Sequence, residues 1–158
     1  MYKIRSAHAN DLSRMTEIGT DNGLDVTEES LGSAYLDDWR RLVVAEYDGE
    51  VLGFIDVLLS GKEAEIVDVA VDVRCHRIGI GSGLVENIQD SMLGRIAEGE
   101  ARMFLEVRAD NEEAIAFYKK MGFSASGRRP NYYRDGEDAL IMSWSARPYA
   151  FDLKGQRR

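Results

Sequence analysis

Ten consecutive residues, Arg74-Cys75-His76-Arg77-Ile78-Gly79-Ile80-Gly81-Ser82-Gly83, combine two arginines, a histidine and three alternating glycines. These types suit an anion. Glycine lets the backbone come close to a ligand. The N–H groups that open a helix lack intrahelical partners and point at a bound anion, whose charge the helix dipole favours. Arg74 and Arg77 can add charge-assisted bonds. A tight turn packing a helix on a sheet would use the same glycines, so the loop taken alone leaves both readings open. Two common phosphate motifs are excluded. A P-loop needs Gly-Lys-Ser/Thr, and Gly81-Ser82-Gly83 is followed by Leu84. A dinucleotide fingerprint counted from Gly79 and Gly81 needs glycine where Leu84 stands.

A second group with chemical potential lies downstream. In Arg102–Arg108, strand alternation puts Met103, Leu105 and Val107 on one side and Phe104, Glu106 and Arg108 on the other. A carboxylate in mid-strand beside Phe104 is an unusual core choice and a candidate general base; a surface pair with Arg108 or with a neighbouring strand is the alternative. Tyr118 carries a phenol of pKa near 10 and is a possible proton donor, although an aromatic on a helix face is more often core. With only His8, His76 and Cys75, the chain offers no Ser-His-Asp or Cys-His set. Cys75 sits between arginines that the phosphate loop already explains, and His76 has no metal-ligand neighbours, so no metal is expected.

His76-Arg77-Ile78-Gly79-Ile80-Gly81 resembles the pyrophosphate loop of the GNAT acetyltransferases, Gln/Arg-x-x-Gly-x-Gly/Ala, with His76 at the first position. Val71-Asp72-Val73 stands where that family usually has Val-Asp-Pro. Leu105-Glu106-Val107-Arg108, Ala109-Asp110-Asn111 and the run Ala114–Phe123 resemble its acyl-CoA arm. Arg129-Pro130-Asn131-Tyr132-Tyr133 and Gly136–Met142 are similar to its ribosomal-protein-alanine N-acetyltransferase branch. The likeness runs from about Val67 to Met142, roughly half the chain, with four motifs in order.

The resemblance implies an α/β (α+β) GNAT fold: a mixed, mostly antiparallel central sheet of about seven strands flanked by about four helices. It implies direct acetyl transfer from acetyl-CoA to a primary amine, without an acyl-enzyme. His76, Arg77, Ile78, Gly79, Ile80, Gly81, Ser82 and Gly83 would hold the pyrophosphate. Val69, Ala70 and Val71 would pair with the pantetheine through backbone groups, the Val71 N–H polarising the thioester. Asn111 and Tyr118 would flank the pantetheine. Glu106 would be the base and Tyr118 the acid for the leaving thiolate. Asn131, Tyr132 and Tyr133 would line the acceptor channel, with Gly19–Glu29 opposite. The N-terminal half lacks that branch's aromatic-proline stretch before the second helix.

The acceptor can be weighed by pKa. At neutral pH roughly a tenth of an α-amino group is free base, against less than about one part in a thousand of a lysine. A single glutamate base therefore suits a protein N-terminus, such as that of a ribosomal protein, and burial can bring lysine into range. Acetylation of a small amine (polyamine, amino acid or aminoglycoside) and a non-catalytic acyl-CoA sensor are the competing readings.

The elements that must position these residues follow from periodicity. Lys3–Ala7 reads as a strand, with Asn10 or Asp11 capping a helix to about Ile18. Thr20–Thr27 is a loop and Glu28–Leu36 a short helix. Val43–Tyr47 and Val51–Leu59 form a hairpin around Asp48-Gly49. A strand over Ile66–Val73 feeds the glycine loop. The next helix puts Leu84, Ile88, Met92 and Ile96 on one face. Asn111 caps the following one, with Glu112 and Glu113 in its first turn, Lys119 and Lys120 in its last, and Phe117 as its core aromatic.

At 158 residues and 44% hydrophobic, the chain suits one domain over residues 1–145, with a tail over 146–158. The net charge is −8, and Phe151–Arg158 is basic, so the body is more acidic still. This disfavours nucleic acid and favours a cationic acceptor, with Asp21, Asp25, Glu28 and Glu29 able to draw in a basic peptide. No apolar run has the length of a membrane span and no N-terminal signal region is seen. One cysteine excludes an internal disulfide framework. A cytoplasmic protein, monomeric or homodimeric, is expected.

Overall fold

The computed structural model describes residues 1–148. The chain divides into two compact units, Met1–Ile88 and Gln89–Arg158. Together they hold seven strands and four α-helices among the described residues, the mixed α/β content expected.

In the first unit, strands β1 (Lys3–Ser6), β2 (Arg40–Tyr47), β3 (Glu50–Ser60) and β4 (Glu63–Val71) pair in that order, every pair antiparallel. The β2–β3 turn is Asp48-Gly49, both at positive φ (49° and 82°), as a type I′ hairpin requires. Helices α1 (Leu12–Asp21) and α2 (Glu28–Leu36) cover one sheet face. Their Met15, Ile18, Leu31 and Ala34 bury themselves with Leu42, Val44, Phe54 and Ala70 of the strands. Helix α3 (Ile80–Arg95) approaches the other face, where Ile80 and Leu84 lie beside the bare Cα of Gly53. Ile80, Leu84, Ile88 and Met92 are buried, each stabilising the fold by roughly 1.5–3 kcal/mol. Ile96 lies one residue beyond the helix and is half-exposed.

The capping expected of Asp11 does not occur. Asp11 precedes α1, but its carboxylate accepts from the His8 N–H (2.7 Å) and from Arg5 (2.7 and 3.1 Å). The helix also runs three residues beyond Ile18, to Asp21. The α2 expectation is met to the residue, with Thr27 accepting from the Ser30 N–H. Glu28 and Glu29 fall in its first turn, where the helix dipole favours them irrespective of any ligand.

A bulge in the β3–β4 ladder inserts Val67 and sets Asp56 opposite Asp68. Asp56 is buried and carries a bidentate bond from Arg40 of β2, one arm of it 2.9 Å. Burial, followed by the charge of Asp56, pushes the Asp68 carboxyl up to about 6. The folded chain therefore keeps a proton that an unfolded Asp, with pKa near 4, releases earlier. Stability falls as pH rises from about 4 to about 6, and the loss is complete above that window. Asp68→Asn is expected to raise stability at pH 7.5 by on the order of 1–2 kcal/mol, allowing for solvent screening, and to have a clearly smaller effect at pH 4.5. Urea unfolding at the two pH values checks this; equal effects at both would contradict it.

In the second unit, β7 (Ala139–Ala146) pairs antiparallel with both β5 (Ala101–Arg108) and β6 (Ser124–Arg129). Helix α4 (Glu112–Lys120) lies between β5 and β6 in the chain. Its ends match expectation: the Asn111 side chain accepts from the Ala114 N–H, and the carboxylates and lysines fall at opposite poles. The core aromatic is Phe123, buried just past the helix, whereas Phe117 is only half-buried. Of the expected tail, Ala146 ends β7, and residues 149–158 lie outside the described residues.

Candidate active site

The glycine loop belongs to the first unit. Strand β4 stops at Val71 rather than Val73, because the Asp72 carboxylate accepts from the Arg74 N–H (2.8 Å) and folds Val73–Cys75 into a 3-10 turn. The Asp72 N–H bonds to the Leu52 carbonyl of β3 (2.8 Å). By antiparallel alternation, Val71 and Val69 turn their N–H and C=O groups away from β3. The Val71 carbonyl instead meets Asn22 Nδ2 and His76 Nε2, each at 2.8 Å. His76, at the position where Gln or Arg was the family pattern, thus ties the loop back to the strand end it follows.

Arg77 adopts φ 67° and Gly79 φ 92°. The chain then enters α3 with Ile80, Gly81 and Ser82 as its first turn; the Gly83 N–H closes on the Gly79 carbonyl at 3.0 Å. The N–H groups of that first turn have no intrahelical acceptor, which is the arrangement an anion fits. Ile80 contributes backbone only, its side chain being in the core, while Ile78 is exposed. Tyr2 donates from its hydroxyl to the Gly79 carbonyl (3.0 Å), and that same hydroxyl lies where a Gly83 Cβ would stand.

A Cβ built on Gly79 meets nothing within 4 Å. Its substitution therefore costs backbone strain, roughly 1–2 kcal/mol, rather than a clash in the fold. Gly79→Ala is expected to lower the melting temperature by a few degrees and to weaken donor binding about tenfold or more. Calorimetry beside a donor-binding titration measures both. An intact affinity would remove the loop from donor binding.

Arg74 does not serve the loop. Its guanidinium is held by Asp72 (2.7 Å) and by Glu50 (2.7 Å), facing a charged cleft shared with Arg14, Glu17 and Asp21. Asp72, held by Arg74 and Arg14, sits well below the usual carboxylate range.

The second unit holds the candidate base. On β5, Met103, Leu105 and Val107 are buried and Phe104, Glu106 and Arg108 half-buried, the alternation expected. Glu106 Oε1 accepts from Arg129 Nε at 2.7 Å. The Tyr132 hydroxyl is raised above the usual phenol range, first by its hydrogen bond to Glu106 and then by that charge. Burial and the Glu106 charge raise Tyr133 as well. The structure therefore gathers Tyr132 and Tyr133 at Glu106, although they lie more than twenty residues away in sequence.

The segment between β6 and β7 that carries them is pinned at many points. Asn131 (φ 50°) donates its N–H to Asp138 Oδ1 (2.9 Å), and the Tyr133 N–H bonds to the Glu137 carbonyl (3.1 Å). Arg108 grips Asp135 (2.6 and 3.2 Å) and Asp110, and lies 4.9 Å from the centre of the Tyr133 ring. Tyr118 is half-buried, edge-on to Phe117 (5.1 Å) and Phe123 (5.7 Å). The cap on Asn111 uses Oδ1 and leaves its NH2 group out of that bond. Arg129 is the residue that sequence reasoning missed. It stood inside a quoted motif, but only the β6–β7–β5 pairing brings it to Glu106.

The profile of the Acetyltransferase (GNAT) family matches residues 10–123 of this geometry. The chain belongs to that family. It is similar to the N-alpha-acetyltransferase of Sulfurisphaera tokodaii, with 30% identity over 158 residues that cover 90% of this chain and 92% of the relative. It is 39% identical to the [ribosomal protein bS18]-alanine N-acetyltransferase of Escherichia coli over 99 residues, 61% of this chain and 65% of that one. The crystal structure of the ribosomal-protein-S18-alanine N-acetyltransferase from Escherichia coli superposes with TM-score 0.83 at 29% identity, covering 97% of this chain and 98% of the other. This GNAT protein is accordingly an N-acetyltransferase with the GNAT fold. Among its described residues no group of three metal-ligating side chains occurs.

Proposed function

We propose that this protein transfers the acetyl group of acetyl-CoA to the free α-amino group of a protein N-terminus. The observation that carries the reading is Glu106: a half-buried carboxylate in mid-strand, with Tyr132 hydrogen-bonded to it and Tyr133 within range of its charge. Relatives named for acetylation of N-terminal amines support it.

The donor residues fit a thioester on a phosphate-bearing carrier. The open N–H groups at Gly81 and Ser82 and the unobstructed space at Gly79 suit the pyrophosphate. The Val69 backbone groups and the Val71 N–H, turned away from β3, suit the amide-bearing arm, whereas the Val71 carbonyl is held by Asn22 and His76. Glu106 takes a proton from the acceptor ammonium, and the freed nitrogen attacks the thioester carbonyl. The Val71 N–H stabilises the oxyanion. As the carbon–sulfur bond breaks, Tyr118 gives its proton to the sulfur, and the second proton of the acylated nitrogen restores the Tyr118 phenol, leaving a neutral amide, a free thiol and one proton held on Glu106. Glu106 accepts a proton and Tyr118 donates one, and no covalent acyl-enzyme is required.

The test is release of free CoA from acetyl-CoA across a panel of peptides and small amines. The peptides include Ala-starting N-termini, free and pre-acetylated, with and without an internal lysine. Turnover confined to free N-termini is the expected result. Turnover on small amines alone, or tight acetyl-CoA binding with no turnover at all, would replace this reading by an amine acetyltransferase or a sensor.

A further inference from the structure

The carboxylate assigned as base is already occupied by a cation of the chain itself. Arg129 Nε donates to Glu106 Oε1 at 2.7 Å, about where an acceptor ammonium must lie to surrender its proton. A guanidinium seated on that oxygen occupies the direction from which an acceptor N–H would have to approach it. The guanidinium and an acceptor ammonium therefore compete for Oε1.

The surroundings show which part can move. Around Arg129 the segment is fastened: Asp138 holds Arg128 (2.7 Å) and the Asn131 N–H, and Arg108 holds Asp135. Among the described residues, the Arg129 side chain is fastened by its single-point bond to Glu106 and by a loose approach of 5.8 Å to the Tyr132 ring. It is more than half exposed, whereas the Glu106 side chain is 23% exposed. An exposed, single-point pair of this kind adds little affinity and is cheaply broken. The bidentate Arg108–Asp135 pair next to it is the contrast.

We propose that Arg129 is a placeholder for the acceptor's ammonium group: it occupies Glu106 in the free enzyme and yields that oxygen to the incoming amine. The exchange swaps one cation for another, so the half-buried carboxylate is never left unpaired. It also makes Arg129 a specificity-determining residue. An acceptor arriving as a cation can displace the guanidinium, whereas a blocked, uncharged N-terminus has no charge with which to do so. The released side chain remains over the face of Tyr132, and the loop itself does not open.

This inference rests on the assignment of Glu106 under the proposed function, and the experiment separates the two. Steady-state kinetics are measured for wild type, Arg129→Gln, Arg129→Lys and Glu106→Gln, with the free-amine acceptor that turns over fastest in the panel. Arg129→Gln is expected to raise kcat/KM by up to about fivefold, the ceiling for one exposed ion pair. The gain comes through a lower acceptor KM, and Arg129→Lys restores wild-type behaviour. A raised KM, an unmoved KM or a tenfold loss of kcat in Arg129→Gln would overturn the placeholder role and make Arg129 a residue that holds substrate or orients Glu106. Wild-type turnover by Glu106→Gln would instead remove the base assignment itself.

Discussion

Glu106→Gln is expected to lower kcat by about 10²–10⁴-fold near neutral pH, the range that a positioned general base supplies, with acetyl-CoA affinity nearly unchanged. Glutamine keeps the carbonyl oxygen that Arg129 Nε bonds, so β5 and β6 stay tied. What is lost is the ability to accept a proton. The defect should therefore be largest at low pH, where the α-amino group arrives as an ammonium. It should narrow above about pH 8, where much of the amine is already free base. A pH–rate series beside a donor-binding titration measures both halves. Equal losses in rate and in donor affinity would show that Glu106 is structural.

The second large effect is on stability. Arg40→Ala leaves Asp56, only 1% exposed, without its bidentate partner and facing Asp68 across the strand pair. Breaking a buried pair from one side costs about 3–5 kcal/mol, a large part of the margin of a domain this size. We expect a melting temperature lower by ten degrees or more, with most of the loss recovered in the double variant Arg40→Leu/Asp56→Leu. Thermal unfolding of the three proteins decides the matter. A single variant as stable as wild type would mean that water reaches Asp56.

Features that depend on local sequence were legible in advance. Asp48-Gly49 can hardly be anything but a type I′ turn, and Asn111 with its flanking charges marks a helix start on chemistry alone. The buried face of α3 follows from Leu84, Ile88 and Met92 at helical spacing. The features that escaped depend on partners distant in sequence. Asp72 ends β4 early by accepting from the Arg74 N–H, and Arg14, far upstream, holds that carboxylate in place. Arg74 reads as a phosphate ligand until Glu50 and Asp72 are seen to hold it. The opposition of Asp56 and Asp68 depends on a single inserted residue in the ladder, which periodicity does not reveal. In the candidate site, Glu106 was readable from its misfit among strand neighbours. Arg129 was not, because a charged residue at a strand end looks like ordinary surface until the pairing partner is known.

Tyr2 reaches the glycine loop from the start of the sequence. Its hydroxyl bears on the Gly79 carbonyl and its ring lies against the backbone at Gly83. The second residue of the chain is thus a buttress for the loop assigned to the donor, some eighty residues downstream. Anything that disturbs the first few residues, such as a purification tag, a leftover protease scar or a start site chosen slightly downstream, reaches the donor loop directly. Preparations differing only at that end should differ in their Michaelis constant for acetyl-CoA, and handles for surface immobilisation belong elsewhere on the molecule.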